Sequence, residues 1–99
     1  MAEMTTLLDE ISALIDAPRV DRERVERTLT DGYAQALNLE TERVRLQRRV
    51  TELTQGLNRG DGTVKARELT ALAKKLDGNA VDLSQLRSVL AALKRRASR

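Results

Sequence analysis

Cysteine and histidine are both absent from the chain. The first absence excludes a disulfide framework and any thiolate metal site. The second removes the commonest general base and the commonest imidazole ligand. Aromatic residues are nearly as scarce: Tyr33 stands alone, without Trp or Phe. A small core built without aromatic area must draw on many Leu, Val and Ala contacts, and partner helices would add to them. No apolar run reaches the length of a membrane span. A basic stretch leading into an apolar one is also missing at the start, so no secretory leader is expected and the expected location is cytoplasmic.

What is present fits helices. The chain of 99 residues is read as one domain, 1–99, with 40% apolar and 33% charged residues. Both signs are interspersed, as on solvent-facing helix surfaces rather than in disordered chains. The net charge of +3 is unevenly placed: Glu3, Asp9, Glu10 and Asp16 come early with no base among them, and Lys94, Arg95, Arg96 and Arg99 come last with no acid. Such a basic end is first of all a favourable partner for the negative end of a helix dipole. Arg outnumbers Lys, and Ala, Leu and Val are heavily used; that bias is the one expected of a GC-rich bacterial genome.

One stretch organises the rest. From Asp21 to Leu57 the residues Val25, Leu29, Gly32, Ala36, Leu39, Arg43, Leu46, Val50, Leu53 and Leu57 recur in steps of four and three. That is the heptad spacing of a helix seam. Such a helix is roughly 50 Å long, too long to sit inside a small globule. The seam is therefore expected to pair with a second copy, as a homodimer, or with another helical protein. Antiparallel pairing sets Gly32 against Leu57, Ala36 against Leu53 and Leu39 against Val50, small against large. It also keeps the two Arg43 side chains apart, and Arg43 is expected to set the register. A second apolar line, Tyr33, Leu37 and Val44, runs beside the seam. The two lines together predict one face for the chain's own short helices and one for a partner.

The flanking segments read as short amphipathic helices. Thr6 and Asp9 resemble a capping box, and Leu7, Leu8, Ile11, Leu14 and Ile15 follow as one stripe, ended by Pro18. Asp21 is a suitable cap for the long helix. Exposed charge pairs are expected along it: Arg22 with Glu26, Glu23 with Arg27, Glu42 with Arg45, Arg48 with Glu52. Gly60, Asp61 and Gly62 break the helix, and Thr63 can cap a third one, buried through Leu69, Leu72, Ala73 and Leu76. Gly78 and Asn79 end that helix. Asp82 and Gln85 cap a fourth, buried through Leu83, Leu86, Val89, Leu90 and Leu93. The expected fold is all-α, four helices at about 6–16, 21–57, 63–77 and 82–96, forming an oligomeric helical bundle.

Candidate chemistry is thin. Gly60-Asp61-Gly62-Thr63-Val64 with Glu68 resembles the second half of a calcium loop, but its first and third ligand positions fall on Leu57 and Arg59. Too few oxygens remain, and a capped interhelical turn is the better reading. The third and fourth helices could form a helix-turn-helix. Ser84, Gln85, Arg87 and Ser88 would then face the major groove, and Lys94, Arg95 and Arg96 the phosphates. Any helical hairpin shares that apolar spacing, so DNA binding is the runner-up. Arg43, Arg45, Arg48 and Arg49 do not share one helix face, and no aromatic side chain is at hand to stack bases. Carboxylates such as Glu23, Glu26, Glu40 and Glu42 have arginines within reach and no apolar surroundings to raise a pKa. No enzyme, cofactor or metal is expected.

The run from Thr28 through Asp31, Gly32 and Tyr33 to Leu37, continuing at Glu40 to Arg49, is similar to small uncharacterised helical, coiled-coil proteins of actinobacterial type. The resemblance implies neither an activity nor site residues. The reading is a non-enzymatic module for helical self-association or protein interaction.

Overall fold

A computed structural model describes residues 2–56 and 62–98, with side chains throughout these except at 2, 3, 63 and 64. The described residues form α1 (Ala2–Asp16), α2 (Arg22–Gly56) and α3 (Gly62–Ala97). Among the described residues the all-α class holds, with three helices rather than four. The rod they make measures 61 × 17 × 16 Å.

Local signals account for most boundaries. Pro18 stops α1 at Asp16, and the chain reverses over residues 17–21. Asp21 caps α2: its Oδ1 accepts from Arg24 N at 3.2 Å, and its carbonyl accepts from Val25 N at 2.9 Å. α1 begins earlier than its capping pattern suggests. Met4 is buried in the core one turn before Leu7 and Leu8, so packing carries the helix back past Thr6. Each of the first two helices ends on a cation supplied by α3. Arg96 Nη2 donates to the Ala17 carbonyl at 2.9 Å, and Lys65 Nζ to the Gly56 carbonyl at 2.6 Å. Both meet carbonyls that a helix end leaves unpaired.

The larger correction lies at Gly78 and Asn79. They do not end a helix, and Asp82 caps nothing, because α3 runs unbroken through them. The cause is a heptad that continues across the pair. Leu69, Leu72, Leu76, Asn79, Leu83, Leu86, Leu90, Leu93 and Ala97 alternate in steps of three and four, so burial along the full length outweighs the helix-breaking tendency of two residues. Asn79 is only 6% exposed, and its Nδ2 donates to the Leu39 carbonyl at 2.8 Å. Its Oδ1 is buried and makes no hydrogen bond. A buried Asn in a helix seam fixes register at some cost in stability. That role falls to Asn79, whereas Arg43, at its seam position, is exposed.

Gly78 faces open space, with nothing within 4 Å of a Cβ placed there. Gly78→Ala is expected to stabilise the chain by about 0.5–1 kcal/mol, because α3 then loses its one interior glycine without any clash. A thermal melt will show it as a rise of a few degrees; a fall would mean that a break at 78 is needed. Gly32 is the opposite case. A Cβ there overlaps the buried Leu90 side chain, so the close approach of α2 and α3 depends on it.

Contacts along the rod show that α2 and α3 run antiparallel. Gly32 meets Leu90, Glu40 pairs with Arg87, Leu39 with Asn79, Arg49 with Glu68, and Gly56 with Lys65. α1 lies beside the start of α2 and the end of α3, so one half is a three-helix bundle and the other a two-helix hairpin. The cores differ accordingly. The three-helix half gathers Ile11, Leu14, Val25, Ala36, Leu83, Leu86, Leu90 and Leu93 around Met4. The hairpin half has Leu46, Leu53 and Leu72, flanked by Val50, Leu69 and Leu76.

Candidate interaction surface

The α2 seam is occupied within the chain. Val25, Gly32, Ala36, Leu46 and Leu53 are buried, and Leu29, Leu39 and Val50 partly so. They pack in the two core clusters with residues of α1 and α3. Arg43 is exposed, and Leu57 lies outside the described residues. The expected antiparallel partner of the seam is thus present as the chain's own α3.

With the seams taken as heptad positions a and d, each helix has an e/b flank on one side and a g/c flank on the other. The e residue Glu40 pairs with the e residue Arg87, and the g residue Arg49 with the g residue Glu68, with Nε to Oε1 at 2.9 Å. Arg49 Nη1 also donates to Glu52 at 3.2 Å. These bonds, the one to Glu68 foremost, hold the Arg49 guanidinium above its ordinary pKa. α1 covers the g/c flank of the three-helix half. There the buried Thr28 Oγ1 donates to Glu10 Oε1 at 3.3 Å, Arg24 approaches Glu10 at 4.0 Å, and Val89 packs on the core.

The e/b flank has no such cover. Tyr33 is 50% exposed, Leu37 63% and Val44 53%. Leu37 and Val44 are b residues of α2, and Tyr33 is an e residue one turn away. Val44 lies further along the same flank. Tyr33 and Leu37 border a groove of about 430 Å³ between α2 and α3, floored by Ala36 and Leu90 and rimmed by Glu40, Arg87 and Lys94. No residue of α1 lines it. Between Arg24 and Thr54 on α2 and between Ala66 and Arg96 on α3, the g and c positions hold ten charged residues and the e and b positions five. From Val44 to Thr54 and from Ala66 to Ala73 the e/b flank carries none. The sequence places a partner on the seam, but the chain's own α1 and α3 fill the seam, and the apolar line left open is the second one, Tyr33, Leu37 and Val44.

The other candidates fare differently. Gly60 and Asp61 of the calcium-like turn lie outside the described residues, while Glu68, its last ligand position, is engaged by Arg49. No cluster of Asp and Glu suited to a metal ion occurs among the described residues. The helix-turn-helix fails for want of its turn, since residues 63–77 and 82–96 are one helix. Ser84, Gln85 and Ser88 lie exposed on the outer side of α3 around Val81, which is 64% exposed. Arg87 is paired with Glu40, and Arg96 with the Ala17 carbonyl. Lys94 and Arg95 are exposed near the end of α3. Of the expected charge pairs, Glu42 and Arg45 meet at 3.6 Å, whereas Glu52 is taken by Arg49 rather than Arg48. Among the described residues no helix is long and apolar enough to cross a membrane. Neither a protein-family model, nor a curated protein, nor a solved structure matches the chain.

Proposed function

We propose that the protein is a non-enzymatic module for self-association or for binding another helical protein, and that it works through the e/b flank of its long helix. The observation that carries this reading is the exposure of Tyr33, Leu37 and Val44 in line on α2, the first two of them beside an open groove. Most of the large apolar side chains among the described residues are buried or half-buried along the seams. Three of the largest left outside the core share this flank, where nothing in the fold requires them. A helix laid against them would turn the three-helix half into a four-helix arrangement, with knobs-into-holes packing of the usual kind.

Tyr33→Asp with Leu37→Asp tests the reading. The parent is expected to sediment above its monomer mass of 11.1 kDa at high micromolar concentration. The double variant should sediment as a monomer with unchanged helicity, since exposed positions away from caps and cores usually shift stability by no more than about 0.5 kcal/mol. A double variant that assembles like the parent overturns the reading, and a parent that stays monomeric removes self-association from it.

A further inference from the structure

Resting on that reading, we infer that the occupant of the e/b flank is a second copy of this chain, lying antiparallel to the first about a two-fold axis between Leu37 and Val44. The argument is the distribution of charge along the rod. Residues 43–76 hold nine Lys and Arg against three Asp and Glu, a net of +6. The rest of the chain holds nine against twelve, a net of −3. Because α2 and α3 run antiparallel, residues 43–56 and 62–76, which carry the net of +6 by themselves, form the hairpin half, and the rest of α2 and α3 forms the half that α1 covers. The rod is therefore basic at one end and acidic at the other. Two rods side by side in the same direction would align +6 with +6. Reversing one of them sets each basic half beside an acidic half, and opposite potentials across an interface favour both encounter and register.

The flank itself suits this arrangement. One side of the rod, 61 by 16 Å, offers on the order of 1,000 Å², against the ~800 Å² per partner of a standard stable interface. An axis at the point where charge changes sign brings Leu37 of one copy to Val44 of the other. Tyr33 then reaches the uncharged stretch around Gln47 and Thr51. Across α3, Ala73 and Ala80 leave room for close approach. Glu40 lies next to the axis, where two copies would bring like charges together, and in each copy it is already neutralised by Arg87. α1 sits on the opposite flank and does not obstruct the contact.

The chain has no cysteine of its own, so single cysteines report the pairing directly. Leu37→Cys and Val44→Cys are made separately, checked for an unchanged thermal melt, mixed and oxidised at low concentration. The two positions are about 10 Å apart along one helix, beyond the Cα separation that a disulfide spans. The expected result is a mixed 37–44 product well in excess of either like pair. Dominant 37–37 or 44–44 products, or a dimer that gives no 37–44 product, would overturn the antiparallel pairing and leave the flank reading standing. If the unlabelled parent is a monomer by sedimentation, a second copy is overturned as the occupant of the flank.

Discussion

Leu86→Ala is expected to lower stability by about 3–4 kcal/mol, the upper part of the range for buried Leu truncations. Leu86 is 0% exposed and lies where α3 meets both other helices, among side chains already fixed by Ile11, Leu83, Leu90 and Leu93. A void there is enclosed and cannot be filled by a small shift of one helix. Domains of this size hold together by about 5–15 kcal/mol in total, so the midpoint of thermal unfolding should fall by more than 10 °C. Leu72→Ala serves as the comparison. It sits in the hairpin half, where only two helices enclose it, and these can close partly over the gap. Its cost should be nearer 2 kcal/mol. Equal losses at the two positions would mean that the hairpin half is as tightly enclosed as the three-helix half.

The long helix, its Asp21 cap, the stop at Pro18 and the separate line of Tyr33, Leu37 and Val44 are all legible in the sequence. Each rests on a local pattern: a heptad, a capping side chain, a fixed φ, a second stripe one turn away. What the sequence hides is the length of α3. Gly78 and Asn79 are adjacent breakers, and by local chemistry they divide the segment. Only the register from Leu76 through Asn79 to Leu83 shows that the amide occupies a seam position, and a polar residue there does not announce itself as core. The destination of the α2 seam is hidden for the same reason. Two short helices cannot cover a rod of this length, whereas one unbroken helix can, so dividing α3 made a second chain look necessary. The open flank is readable only in part. Tyr33 and Leu37 mark it, but its neutral continuation over Ala66, Thr70 and Ala73 becomes a surface only once α3 is laid beside α2.

Introducing Leu46→Asp and Leu53→Asp together decides whether the seam belongs to the hairpin. Both side chains are buried against Leu72, and a carboxylate placed there without a partner loses several kcal/mol of hydration. The small cluster at that end cannot absorb two such losses, and helices of this length do not persist alone in water. The three-helix half keeps all of its own contacts, because neither residue reaches it. The expected outcome is loss of roughly a third of the helical signal, with rapid amide exchange confined to residues 43–56 and 65–76. Protection should persist at 7–16, 25–36 and 83–93, where α1 continues to cover the g/c flank. The effect should be the same at low and high protein concentration, since the broken contacts lie within one chain. Loss of protection along the whole of α2, relieved by raising the concentration, would show instead that the seam is held by a partner. The hairpin half is also the basic half of the rod. Freed of α3, its arginines lose the alignment with the acidic half of a second copy, so the same double variant should fail to give the Leu37–Val44 crosslink even though both of those positions are untouched.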